Sequence, residues 1–497
     1  MISPFLKQCF VVLGAATSLM GHGAGFGYTA TLVAHYTDDQ GNKMSNEDLS
    51  WIGSIFGISK ICGCVLTPFT MSLFGRQKTH LITVLPMLLN WLLFVFGRSV
   101  SIFITARLLF GLSAGMYACM NNMMIAEYTD PVNRGAFASV SSLAVGFGII
   151  WIHVWGTMVS WRVTAAVTTA IPVATAIITW FSPETPSWLV SKQRYEEARK
   201  VFTWLRGDGP RQRKEIEDLI ESDKLKNETS TNLSKTESKT FLTKLKMIKK
   251  NVLIREFYQP IFICILIAIM FEFIGAHYVA AYGHVILKSL LSKNDLKDVS
   301  WHLNYLDILK SVVNTMALFI LKKIKRRTIL FTSVSMSLFS QLLLSAYVYT
   351  RNAYGFDQTR LLDIFVMTLM TLYIVSFNLG LSPLVYVFFG EMIPLQHRGI
   401  GSAIVTFSLS SLSFTVLKTC PQIYSSMGVE GSFLVFSVII SVCLVILYYI
   451  LPETKDRTLL DIESEFKNKP KDGKPVQEVE VRLMVTKHDD VTGDNKA

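Results

Sequence analysis

Pro183-Glu184-Thr185 closes one long apolar run, and Pro452-Glu453-Thr454 closes another roughly half a chain later. Upstream of each, the same signatures recur in the same order. Glu127 stands seven residues before Arg134-Gly135, and Glu391 stands seven before Arg398-Gly399. Gly75-Arg76-Gln77 is answered by Lys325-Arg326-Arg327. Each charged site sits at the end of an apolar stretch, so the duplicated unit is a block of membrane helices.

Composition agrees. Of 497 residues, 51% are hydrophobic and 17% charged, with mean hydropathy +0.39, the balance of a polytopic membrane protein. The apolar run over about residues 5–34 is too long for a cleavable leader and reads as a retained first span. All seven cysteines lie in or beside apolar runs, where they act as small apolar residues. Cys62-Gly-Cys64 lacks zinc spacing and a nearby histidine, so no metal site is expected. The net charge of +11 is concentrated in loops between spans, which is a topology signal and gives no reason to expect a nucleic-acid partner.

Runs of about 20 apolar residues occur twelve times, at approximately 6–34, 50–73, 79–97, 100–126, 136–159, 163–182, 257–287, 300–321, 328–349, 361–389, 400–420 and 432–451. The expectation is an all-α membrane protein of twelve transmembrane helices in two six-helix bundles, 1–182 and 256–451. A central loop, 183–255, and a tail, 452–497, complete the chain. Within the loop, 195–205 and 213–225 have the periodicity of short amphipathic helices, and the polar stretch 226–239 reads as disordered. Arg76, Lys78, Arg134, Arg398 and the cluster Lys322-Lys323-Lys325-Arg326-Arg327 share one side with the central loop and both termini. Asp38, Asp39, Glu47 and Asp48 lie on the other. The positive-inside rule places both termini and the loop in the cytosol, where the sequons at Asn227 and Asn232 go unused. Glycines four apart, Gly53 with Gly57 and Gly111 with Gly115, allow close helix approach. Gly275 and Pro383 mark places where helices seven and ten can break around a cavity.

Two tandem helical halves with no nucleophile–base set, metal spacing or nucleotide motif read as a transporter. An enzyme and a primary pump are both disfavoured. The ordered set of motifs resembles the sugar porter family of the major facilitator superfamily, nearest to its insect facilitated trehalose transporter group. The pieces are Gly75-Arg76, Arg107-Leu108-Leu109-Phe110-Gly111 with Gly115, Glu127 with Arg134-Gly135, Trp161-Arg162, Pro183 to Leu189, Gly390-Glu391 with Arg398-Gly399, and Pro452 to Lys455. Trp51-Ile52-Gly53-Ser54 and Lys418-Thr419 with Pro421 point to the trehalose group. The resemblance covers about residues 5–460. It implies two bundles around a central cavity that opens alternately to each side, moving a sugar (trehalose or a hexose) by facilitated diffusion across the plasma membrane without a cofactor, with membrane lipid around it.

The resemblance also assigns roles. Arg76, Glu127, Arg134, Glu184, Arg326, Glu391, Arg398 and Glu453 correspond to a cytosolic gate network that ties the halves together when the cavity faces outward. Ser72 and Lys322 replace its usual aspartates, and Lys325 replaces the second loop glycine. In the cavity, the family's amides and tryptophans fall on His153, Phe271-Glu272, His277, Tyr386 and Leu409-Ser410. Tyr282 keeps an aromatic, and the span-eight position falls on Lys310 or Asn314. Almost every sugar-contacting type has changed. An ionisable group at membrane depth is costly, so Glu272 and His153 admit three readings: hydrogen bonding to a sugar, a charged solute or proton coupling, and a structural pair with Lys310 or a nearby histidine. Proton-driven relatives carry an aspartate where this chain has Thr29, which favours uniport. A non-transporting sensor is the rival from another class, and the short tail argues against it.

Overall fold

The computed structural model describes residues 3–38, 44–130, 133–233, 255–275, 277–291, 296–321, 323–355, 359–393, 398–455, 457 and 465–466. Every element among them is a helix. The first half holds α1 (Pro4–Asp38), α2 (Asn46–Ser54), α3 (Phe56–Phe96), α4 (Val100–Tyr128), α5 (Arg134–Met158), α6 (Trp161–Thr168) and α7 (Ala170–Phe181). Three helices follow at one face: α8 (Pro186–Ser191), α9 (Tyr195–Arg206) and α10 (Pro210–Leu233). The second half holds α11 (Arg255–Phe273), α12 (Tyr278–Leu291), α13 (Leu296–Ile320), α14 (Arg326–Tyr354), α15 (Arg360–Leu379), α16 (Leu381–Glu391) and α17 (Arg398–Ile450).

Among the described residues, eight apolar segments are long enough to cross a membrane. Two of them, Asn46–Phe96 and Gly401–Ile450, double back at Gly75 and Gly428, which have φ of +86° and +69°. With α5 and the more polar α13, the chain makes twelve crossings. The second-half helix break lies at Gly380, three residues ahead of the proline expected to cause it. Pro383 occupies the first turn of α16, where its missing N–H costs nothing. Pro421, expected just past the eleventh span, lies inside a helix that continues to the turn at Gly428.

The loop helices follow the amphipathic pattern. Leu189, Val190, Ala198, Phe202, Ile216 and Ile220 form their own buried cluster. α10 runs on to Leu233, through residues 226–233 where disorder was expected; 234–254 lie outside the described residues. The glycine pairs do pack helices. A Cβ on Gly111 or Gly115 would fall about 2 Å from the α3 carbonyls of Phe56 and Lys60, so α4 lies against α3 backbone to backbone. Gly53 and Gly57 instead face the second half, toward Tyr282 and toward Phe414 and the Ser410 carbonyl.

The turn at Gly75 explains the first duplicated motif. Glu184 accepts hydrogen bonds from the backbone N–H of Arg76 at 2.8 Å and of Gln77 at 3.2 Å. These are unpaired donors at the start of a new helix. Burial pushes the Glu184 carboxyl above its usual range, against the pull of these donors. In the second half Glu453 caps Arg326 N at 3.1 Å and Arg327 N at 3.2 Å in the same way. There the preceding residue has φ −62°, so Lys325 serves where the first half needs glycine. Gly75→Ala puts a Cβ 2.2 Å from Glu184 Oε2 at a positive φ. Backbone strain and loss of the cap together are expected to destabilise the protein by about 2–4 kcal/mol. Thermal unfolding in detergent checks this, with Lys325→Ala expected to shift the midpoint little.

Candidate functional site

The duplicated charges gather at the face that carries both α1's start and the loop helices. Arg76 Nη2 lies 2.7 Å from Glu127, and Arg326 pairs with Glu391. Each pair closes inside its own half. The side chains of Arg134 and Arg398 lie outside the described residues.

At the opposite face the halves meet along a seam. His153 of α5 lies 2.5 Å from Asp307 of α13, and one turn on, Asn304 donates to Thr157 at 3.2 Å. Lys418 of α17 donates to Ser50 of α2 at 2.8 Å and sits 3.9 Å over the Trp51 ring. Tyr282 is buried at the same seam, its hydroxyl donating to the Leu417 carbonyl at 3.0 Å. Small residues on α2 and complementary polar pairs on α5 and α13 therefore close one face, while at the other the ion pairs of the duplicated set seen among the described residues lie within their halves.

Between the two faces, helix seven breaks. Gly275 takes φ +117°, a conformation that suits glycine, and the chain turns so that His277 folds back on Glu272. His277 Nδ1 lies 2.9 and 3.0 Å from the two carboxylate oxygens. Ser413 of α17 donates to Oε1 at 2.6 Å. Glu272 is fully buried, and His277 is half-buried. Of the structural partners open from the sequence, His277 is the one observed; Lys310 neighbours Asp307 instead.

Aromatic rings surround this pair. Phe26 of α1 lies 5.5 Å from the His277 ring, and Phe271 lies 5.9 Å from it. Phe271 also meets Phe377 at 5.8 Å and Tyr386 at 6.3 Å. Tyr386 is 60% exposed and offers a ring face for stacking. The structure thus unites Phe271, Glu272, His277 and Tyr386. It puts His153 and Tyr282 in the seam, and Asn314 on the stripe of α13 that carries Asp307 and Ser311.

Sequence reasoning missed Asp307, Asn304 and Ser413. Asp307 carried a usable signal, since an acidic residue inside a span is a functional candidate in its own right. Ser413 carried none: its contact with Glu272 joins residues 141 apart. Arg107, quoted only as part of a motif, is 1% exposed. It donates to the Gly25 carbonyl at 2.6 Å and to Thr29 Oγ1, with Phe94 and Phe110 rings 5.6 and 5.5 Å from its guanidinium carbon. Where a proton-carrying aspartate was missing from the sequence, a hydroxyl receives the arginine.

The sequence model of a family described as "Sugar (and other) transporter" matches residues 10–466. The chain belongs to that transporter family. It is 26% identical over 462 residues to the facilitated trehalose transporter Tret1 of Drosophila grimshawi, covering 92% of this chain and 47% of that protein. Against Tret1 of Apis mellifera ligustica it is 25% identical, covering 93% of this chain and 88% of that protein. The chain thus spans about half the length of the Drosophila relatives and most of the honeybee one. The inward-open xylose transporter XylE of E. coli superposes with a TM-score of 0.73 at 16% identity over 94% of this chain and 100% of that one. XylE bound to 6-bromo-6-deoxy-D-glucose gives 0.68 at 17% identity over 94% and 100%. Those likenesses establish the major facilitator fold of this family member.

Proposed function

We propose that this protein is a facilitative carrier that moves a neutral sugar, trehalose or a hexose, across the plasma membrane by alternating access. The observation that carries the reading is the asymmetry of the two faces. His153–Asp307, Thr157–Asn304 and Ser50–Lys418 join the halves at one face, while Arg76–Glu127 and Arg326–Glu391 at the other stay within their halves. This is the arrangement of a carrier closed on one side and released on the other. The basic loops support a cytosolic position for the released face, both termini and residues 183–255, and on that orientation the state is inward-facing. On rocking outward the seam separates and the eight gate residues, including Arg134 and Arg398, draw the cytosolic ends together.

Glu272 works as the polar core of the site. Its carboxylate is engaged by His277 and Ser413, which speaks against a cationic solute as its partner. The imidazole edge and the rings of Phe271 and Tyr386 face the solute. The hydroxyl of Thr29 opposite Arg107 supports uniport, since a hydroxyl does not titrate near neutral pH and cannot take up and release a proton.

Initial uptake of radiolabelled trehalose, glucose, inositol and a cationic amino acid, in cells expressing the chain, tests this. Saturable trehalose or hexose uptake unaffected by a proton uncoupler is expected; uptake of the cation alone overturns the reading. Epitope tags at Met1, residue 230 and Ala497 are expected to be protected from external protease in intact cells. Cleavage at any one of them contradicts the orientation.

A further inference from the structure

At the closed face a cavity of about 330 Å³ lies between the halves, outside the Glu272 cluster. Its size is at the lower end of small-molecule pockets, which run roughly 300–1,000 Å³. Thr157, Ser160 and Trp161 line it from the first half, and His284, Ser300 and Asn304 from the second. The wall holds hydroxyls, imidazoles, an amide and an indole, and no Lys, Arg, Asp or Glu among its described lining residues. His153 forms part of its floor and is held there by Asp307.

Asn304 borders the cavity. It is 3% exposed, and its Nδ2 is engaged by Thr157. Its Oδ1 is buried with no hydrogen-bond partner among the described residues. A buried amide oxygen without a donor costs on the order of 1–3 kcal/mol, and a small rotation of this cavity-lining amide brings the oxygen within reach of a hydroxylated solute, which supplies that donor. Ser300 Oγ, one turn before Asn304 on α13, and His284 Nε2 are 3.1 Å apart and offer a donor–acceptor pair beside it, and the Trp161 ring offers an apolar face.

We propose that this cavity is a second, outer binding site for a neutral polyhydroxylated solute, occupied while the carrier faces inward and separated from the central site by the His153–Asp307 pair. The inference rests on the sugar reading above but concerns a different site. With no Lys, Arg, Asp or Glu among the described lining residues, the wall favours a neutral solute. Opening of the seam removes the floor and joins the two sites.

Ser160→Cys, exposed at the mouth, is labelled from outside with a membrane-impermeant thiol reagent in the full-length protein, with trehalose, glucose or inositol as protectant. Labelling is expected to slow severalfold with the sugar that is transported. Protection is expected to persist in Glu272→Leu, which disables the central site, and to vanish in Asn304→Leu. Ser300→Ala, which adds no bulk, is expected to weaken it too and serves if Asn304→Leu fails to reach the surface. Uptake of a sugar without any protection by it overturns the outer site and leaves the sugar reading standing. Neither uptake nor protection by any of the three overturns both. Protection that disappears with Glu272→Leu traces to the central site, and protection that survives both wall variants traces to neither; each overturns the proposal.

Discussion

Glu272→Leu is expected to lower sugar uptake by at least about tenfold at normal surface density, whereas Glu272→Gln keeps it within about threefold. The carboxylate is the common acceptor for His277 and Ser413. A buried hydrogen bond to a charged group contributes about 1.5–3 kcal/mol, and each 1.4 kcal/mol is tenfold. Leucine removes the acceptor and leaves the His277 ring free to swing from the site. Ser413 still bonds the Leu409 carbonyl at 2.9 Å, so the fold keeps one of its ties. Glutamine preserves the volume and one acceptor oxygen. Initial rates, normalised to surface protein, decide between outcomes. A fully active leucine variant removes Glu272 from the site, and an inactive glutamine variant that reaches the surface shows that the charge itself is needed, which restores the charged-solute or proton-linked reading.

The second large effect concerns the seam. Asp307→Leu leaves His153, 4% exposed, without its carboxylate in the closed state, while in the open state water replaces that partner. The loss therefore falls on the inward-facing conformation alone. A buried pair broken on one side costs up to about 3–5 kcal/mol, and even a third of that shifts the equilibrium by about tenfold. Thr157→Cys, one turn from His153, is expected to react faster with an impermeant reagent applied outside when Asp307 is replaced. The swapped variant, His153→Asp with Asp307→His, is expected to restore slow labelling. Equal labelling in wild type and Asp307→Leu would mean the pair does not hold the face shut.

The fold was legible because it is written in long apolar runs and repeated loop charges. Both signals are local and survive in a single sequence. The turn chemistry was half legible. Gly75 announced itself, but its second-half counterpart became Lys325, which the structure accommodates because φ there is −62°. Pro383 drew attention one helix turn too late, since proline marks the first turn after a break and Gly380 carries the break itself.

The site was less legible for a physical reason. Glu272, His277 and Phe271 are close in sequence, and Gly275 between them signalled the turn that unites them. His153 also stood out as an ionisable group in a span, but its role depends on Asp307, 154 residues away. Matching family positions drew attention to Lys310 and Asn314 on the same helix instead. Which of two polar residues on a helix faces the partner half is fixed by the rotation of that helix in the assembled bundle. One sequence carries that information only weakly.

Counterflow in proteoliposomes is the direct test of facilitated alternating access. Vesicles holding the purified chain are loaded with unlabelled trehalose or glucose and diluted into trace label with no ion gradient. A transient accumulation of label above its equilibrium level is expected, because the loaded sugar returns the carrier to the outer face faster than label leaves. No overshoot with any sugar that the protein takes up, or an overshoot that appears only with an imposed proton gradient, contradicts facilitated alternating access.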